Sequence, residues 1–315
     1  MAAGPVRVVS FGECMIELQG EAFGAMRQTF GGDTLNTAVY LARCSGAGIE
    51  VCYATALGDD GLSTGMMARW QAEGIGVQLV RRIAGRLPGL YLIEVDGGGE
   101  RRFCYWREQS AARDYFKTPS GEVAPIEQAA DTIDALYCSG ISLAILPSAG
   151  RERLFALMQR LRERGAAVVF DNNFRPRLWP DATQARDAYT RAFALASIAL
   201  VTADDHQALM GLATPDEAVA AAQALSVPEL VIKRGAEPTR VRSDGGAWQE
   251  AATEAVALVV DTTAAGDSFA AGYLSRRLRG STALESAHFG NRVAARVIQH
   301  YGALIARELM ADLMP

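Results

Sequence analysis

The sequence offers little to a metal centre or a disulfide framework. It holds three histidines, His206, His288 and His300, none at a ligand-like spacing from another, so a zinc enzyme is not expected. Its five cysteines (Cys14, Cys44, Cys52, Cys104 and Cys138) are an odd, scattered set with no CxxC pair. They are expected as small core residues of a protein of the reducing cytoplasm. No apolar run approaches the ~18–20 residues that cross a bilayer. The opening Met1-Ala2-Ala3-Gly4-Pro5-Val6-Arg7 lacks the charged-then-apolar layout of a secretory signal. Positive charge is in deficit, with 31 Lys+Arg against 36 Asp+Glu, and such a surface repels a phosphate backbone over most of its area. No internal repeat, low-complexity tract or linker divides the chain. What remains is 315 residues, 50% of them hydrophobic, enough to bury a substantial core and to exclude disorder.

The apolar runs and turn residues alternate as in an α/β domain. Val6–Phe11, Val51–Ala56, Ala135–Cys138, Ala167–Phe170, Ile198–Thr202 and Leu230–Lys233 read as strands. Helices are expected over Leu35–Cys44, capped by Asp33 or Thr34, and from about Leu62 to Glu73. Further helices are expected over Arg151–Arg164, near Ala182–Ala196 and Pro215–Leu225, and over Gly266–Arg279 and Ala283–His300. The charges of 151–164 read as a solvated face. Cys14–Leu18 and Met26–Phe30 are short strand candidates, and Leu90–Val95 with Arg101–Trp106 flank Asp96-Gly97-Gly98-Gly99 as a hairpin. Arg240–Arg242 and Gly246–Gln249 suggest another. This pattern implies one domain over 1–315 with a mostly parallel sheet covered on both faces, and a small β-sheet lid from approximately 13–30 and 86–112.

The most informative segment runs from Ala257 to Phe269, where an apolar stretch meets Asp261-Thr262-Thr263-Ala264-Ala265-Gly266-Asp267 at the start of a helix. Free N–H groups at a helix start make an anion site, and small residues let a phosphate approach the backbone. A carboxylate beside such a site repels a resting phosphate. It makes sense if Asp267 accepts a proton from a hydroxyl while the N–H groups stabilise a transferring phosphoryl group. Taken alone, Asp267 reads rather as a helix cap, the commoner use of an acid at a helix start.

The run Asp261–Asp267 resembles the C-terminal signature of the ribokinase-like (PfkB) carbohydrate kinases, and Gly31-Gly32-Asp33-Thr34-Leu35-Asn36 resembles that family's Gly-Gly turn followed by a helical Asn. The likeness extends in order through Gly58-Asp59-Asp60-Gly61 and the hairpin. Many members carry Gly where this chain has Ala264; alanine permits the same backbone approach if its φ is negative. Within the family, Gly12-Glu13-Cys14-Met15-Ile16-Glu17-Leu18, Tyr105-Trp106-Arg107 with Ser110-Ala111-Ala112-Arg113, and Asp171-Asn172-Asn173-Phe174-Arg175 are similar to the 2-keto-3-deoxygluconate kinase subgroup.

The resemblance implies a three-layer α/β/α fold and phosphorylation of the terminal 6-hydroxyl of 2-keto-3-deoxygluconate by ATP. It implies Asp267 as base, with Ala264, Ala265 and Gly266 forming the anion hole. It carries over a sugar site of Gly32, Asp33, Asn36, Tyr91, Tyr105, Arg107, Arg175 and Asp267. Paired guanidinium donors match the carboxylate of a sugar acid, although either arginine could instead form a structural ion pair, and the tyrosines could be packing residues. It also implies a nucleotide site of Thr202, Lys233, Gly235, Ala236, Ala265, Gly266 and Asn291. Asp205, where the family's Asn-x-x-Glu pattern is not kept, is the candidate for Mg²⁺; Asp204 and Asp205 could alternatively cap the helix before 207–210. Whether K⁺ is needed is not fixed. An exposed lid suggests a homo-oligomer, a lid-to-lid dimer or larger. The rival readings are a kinase for a neutral sugar such as fructose or ribose, and a non-catalytic sugar- or nucleotide-binding protein on the same scaffold. A Rossmann dehydrogenase is weaker, because no GxGxxG follows the first strand.

Overall fold

The computed structural model describes residues 4–21, 23–95 and 101–315. Its strands are β1 (Val6–Phe11), β2 (Met15–Gly20), β3 (Met26–Gly31), β4 (Ile49–Leu57), β5 (Val80–Arg82), β6 (Leu90–Val95), β7 (Arg101–Trp106), β8 (Ala135–Ser139), β9 (Ala167–Asp171), β10 (Ile198–Thr202), β11 (Glu229–Arg234), β12 (Glu237–Ser243) and β13 (Gln249–Ala251). Its α-helices are α1 (Asp33–Ser45), α2 (Gly61–Ala72), α3 (Pro125–Gln128), α4 (Gly140–Ile145), α5 (Ser148–Glu163), α6 (Ala182–Leu195), α7 (Ala203–Met210), α8 (Pro215–Gln223), α9 (Ala265–Arg277) and α10 (Ala283–Val297).

Nine strands form one sheet in the order β13-β12-β11-β10-β9-β8-β1-β4-β5. It is parallel from β11 to β5, and antiparallel only where β12 and β13 extend its edge. The central strands are apolar throughout because helices cover both faces. Strand alternation decides which side chain meets which layer. Val9, Phe11, Leu136, Cys138, Val168 and Phe170 pack with Leu154 and Met158 of α5 and with Tyr189 and Phe193 of α6. Val8, Tyr137, Val169, Leu200 and Val231 point the other way, into a core with Leu35 of α1, Tyr273 of α9 and Val293 of α10. Ser139, Asp171 and Lys233 continue that second parity, so all three fall on the α1/α9 side at the carboxyl ends of their strands.

A second sheet of four strands, in the order β3-β2-β6-β7, leaves the main body after β1. Strands β2 and β6 are parallel, and hairpin pairings flank them on both sides. The edge-on contact of Phe30 with Trp70 of α2, ring centroids 6.4 Å apart, anchors this sheet to the core. The expected hairpin is present with Tyr91 opposite Tyr105; its turn, Asp96-Gly97-Gly98-Gly99, lies outside the described residues.

Three sequence expectations are corrected here. Neither Asp33 nor Thr34 caps α1: Gly32 occupies the cap position and Asp33 is the first helical residue. The charges of α5 are not merely solvated. Arg153 pairs with Glu127, Arg160 with Asp131 and Glu152 with Arg191, which ties α5 to its neighbours. Four cysteines are buried as expected, but Cys104 on β7 is half-buried.

The placement of α9 depends on close approach to α10. A Cβ on Gly272 would stand 2.9 Å from both Gly290 Cα and Val293 Cγ2. Gly272→Ala is expected to lower stability by about 1–3 kcal/mol through overpacking, read as a lower midpoint in urea unfolding. An unchanged midpoint would contradict this packing.

Candidate active site

Strand β1 is where the sheet order reverses, with β4 and β5 built to one side of it and β8 to β11 to the other. In such sheets the crevice lies outside the carboxyl ends of the strands at this point. The ends of β8, β9 and β11 bring Ser139, Asp171 and Lys233 there, and α1 and α9 deliver their first turns.

Asp267 lies in the first turn of α9, half-buried. Asp261 organises the approach to that helix: its Oδ1 accepts the Thr263 N–H at 3.0 Å and the Thr263 hydroxyl at 2.7 Å, and its Oδ2 accepts the Gly302 N–H at 2.9 Å. The Ala265 N–H donates to the Thr262 carbonyl at 3.1 Å. No side chain caps the helix, so the Gly266 and Asp267 N–H groups lack an intrahelical acceptor and carry the positive end of the helix dipole. Ala264 at the cap has φ 61° and ψ 16°, which is left-handed. The condition under which alanine was to permit the same backbone approach, a negative φ, is therefore not met. This chain holds an alanine in the conformation that glycine adopts freely, because the turn geometry requires it.

The Asp267 carboxylate accepts a hydrogen bond from Asn36 Nδ2 at 2.9 Å. Its pKa is pushed up to about 7, first by desolvation and then by the Asp33 charge; the Asn36 bond opposes this, Asp171 adds to it and Lys233 opposes it. Since the folded value lies above the unfolded one, ionising this group costs stability as pH rises from about 4 through 7.

Asp33 and Asn36 share one face of α1. Asp33 accepts from Ser139 Oγ at 2.5 Å and Asn173 Nδ2 at 2.7 Å. Burial raises its pKa, and those hydrogen bonds oppose the rise. Gly32 is needed by contact: a Cβ there would stand 2.2 Å from the Glu13 carbonyl oxygen. On the second sheet, the Tyr91 hydroxyl donates to Glu17, and its ring lies 5.8 Å from that of Tyr105, which is exposed. Arg107 donates from Nε and Nη2 to the buried carboxylate of Glu13 and stands over the Tyr105 ring. Arg175 donates from Nη1 to both oxygens of Asp205, at 3.1 and 3.3 Å, and half of its side chain is exposed.

Toward β11, Lys233 Nζ lies 2.8 Å from Asp171 Oδ2 and 3.5 Å from where a Gly266 Cβ would be. Lys233 and Gly266 are thus brought together. Thr202 takes the cap position of α7, and its N–H donates to Asn172 Oδ1 at 2.9 Å; neither Asp204 nor Asp205 caps that helix. Gly235 and Ala236 form the turn between β11 and β12, with Gly235 at φ 63°. Asn291 is committed to the framework: its amide donates to the Ala251 and Ala252 carbonyls and accepts from Thr239. Among the described residues no three acids, histidines or cysteines cluster as a metal site. Asp171, Ser139 and Asn173 were not singled out from the sequence. The subgroup-like run 171–175 held the signal for two of them, but only Arg175 was drawn from it.

The crevice of this α/β/α sheet thus joins the uncapped first turn of α9 to a carboxylate of raised proton affinity. The profile of the pfkB family carbohydrate kinases matches residues 6–308, and the chain belongs to that family. It is 46% identical over 308 residues to a 2-dehydro-3-deoxygluconokinase of Dickeya dadantii, covering 96% of this chain and 98% of that one. A crystal structure of a PfkB protein from Polaromonas sp. JS666 superimposes with TM-score 0.81 at 27% identity, over 98% of this chain and 99% of that one. The structure of a fructokinase with bound ATP from Xylella fastidiosa gives TM-score 0.80 at 22% identity, over 98% and 97%. The chain is accordingly a sugar kinase.

The left-handed alanine gives a direct check. Ala264→Gly is expected to leave stability unchanged or raise it by up to about 1 kcal/mol, as relief of the αL penalty outweighs added chain entropy. Ala264→Val is expected to lower it. Denaturation that ranks valine above glycine would contradict the assigned conformation.

Proposed function

We propose that the chain transfers the γ-phosphoryl group of ATP to the 6-hydroxyl of 2-keto-3-deoxygluconate, with Asp267 as general base. The observation that carries the reading is Asp267 in the uncapped first turn of α9, beside Asn36 and with its pKa raised to about 7. A base of that strength is matched to neutral pH, and phosphoryl transfer asks mainly for positioning and charge stabilisation. The substrate class rests on the similarity to the Dickeya enzyme over nearly the whole chain.

On the sugar side, Gly32, Asp33 and Asn36 line the α1 end, with Asn36 orienting the base. Tyr91 and Tyr105 cover the sugar from the second sheet, which serves as the lid. Arg107 and Arg175 fix the carboxylate end, which leaves the hydroxyl end beside Asp267. Arg107 is held ready by Glu13, so its guanidinium need not be ordered on binding. On the nucleotide side, Ala264, Ala265 and Gly266 form the anion hole and Lys233 approaches phosphate. Gly235, Ala236 and Thr202 border the nucleotide, and Asn291 shapes that wall by fixing β13 to α10. Asp205, although paired with Arg175, is the carboxylate that suits a Mg²⁺ ion held mostly by phosphates and water. Bound there, Mg²⁺ would offset charge between the β- and γ-phosphates. The exposed aromatic side chains Phe103, Tyr105 and Trp106 support a lid-to-lid homodimer.

Asp267→Asn is expected to lower kcat by roughly 10²–10⁴-fold, the usual contribution of a general base, with sugar affinity nearly unchanged. In the unmodified protein kcat/KM for the sugar should fall as pH drops through about 7. A coupled ADP-release assay gives both. Near-normal turnover by the Asn variant would remove the proposed base.

A further inference from the structure

Strands β9 and β11 flank β10 and carry Asp171 and Lys233 on the same face near their carboxyl ends. The two side chains are buried, 5% and 10% exposed, with Nζ 2.8 Å from Oδ2. Tyr137 adds a hydroxyl 3.4 Å from the same oxygen. Against the position of a Gly266 Cβ, the ammonium is at 3.5 Å, so it sits between a carboxylate and the first turn of α9. A lone ammonium there would serve an arriving phosphate but would also make the nearby base weaker, because a cation favours the ionised carboxylate.

We propose that Asp171 is a positioning residue with two effects: it pins the Lys233 ammonium beside the anion hole, and it cancels the field of that ammonium at Asp267. The site then keeps a phosphate-facing cation and a base of high proton affinity together. This rests on Asp267 being the base. The opposed influences of Asp171 and Lys233 on Asp267 agree with it. The other titratable and charged groups whose fields couple to Asp267 are Asp33 and Tyr40 of α1, Tyr137 of β8, and Arg175 beyond β9. Helix α10 meets α9 through the uncharged Gly290 and Val293.

The test is titration of the Asp267 carboxyl carbon by NMR in the full-length protein, assigned with Asp267→Asn, together with kcat. Asp171→Asn should move the Asp267 titration to lower pH and Lys233→Met to higher pH. Both changes break the same ion pair, so general structural damage would not give opposite directions. Lys233→Met should also lower kcat by ~10²-fold, as for loss of one preorganised charge donor. Shifts in the same direction, or none, would overturn the proposal. If a lone buried charge prevents either single variant from folding, Asp171→Asn/Lys233→Met carries the test. It should titrate near the unmodified protein while losing kcat ~10²-fold; a displaced titration or full kcat would overturn the proposal. If the titrations move as expected but Asp267→Asn turns over normally, the base assignment fails and the charge pair stands.

Discussion

The site depends on a balance struck at one carboxylate. Asn36 and Lys233 favour the ionised form of Asp267. Burial, Asp33 and Asp171 favour the neutral form, and the outcome is a pKa of about 7. Remove the favourable groups and the acid stays protonated; remove the opposing ones and it becomes an ordinary, weak carboxylate base. Asp33 is the largest charge influence raising the proton affinity of its neighbour.

The fold makes this balance by simple means. Period-2 alternation sends Ser139, Asp171 and Lys233 to the α1/α9 side because Tyr137, Val169 and Val231 are already committed to the core there. The reversal of strand order at β1 opens the crevice. Gly32 lets the chain pass close to Glu13, and Gly272 with Gly290 seats α9 deep enough for its first turn to reach Asn36. The same Glu13 holds Arg107, so the root of the second sheet is tied to the segment that follows β7.

Much of this was legible in the sequence. β1, β6, β7 and β10 have the bounds that their apolar runs and turn residues imply, and the Asp261–Asp267 run marked the helix mouth. Resemblance placed Asp33 and Asn36, and the structure brings both to Asp267. What was not legible depends on contacts between distant segments. The Asp171–Lys233 pair joins positions 62 apart along the chain, and no local pattern announces it. The left-handed Ala264 is dictated by a turn, while the residue type argued for negative φ. The charges of α5 looked like a solvated face because their partners, Glu127, Asp131 and Arg191, lie on other elements. Asn291 has the right place in the chain for a nucleotide contact, yet its amide is consumed by Ala251, Ala252 and Thr239.

The most direct test is a crystal structure with 2-keto-3-deoxygluconate and a non-hydrolysable ATP analogue bound. The account predicts the sugar's terminal hydroxyl oxygen within ~3 Å of the Asp267 carboxylate, the terminal phosphate at the α9 N–H groups, and the sugar carboxylate toward Arg107 and Arg175. A sugar bound in the reverse sense, or Asp267 turned out of the crevice, would contradict it.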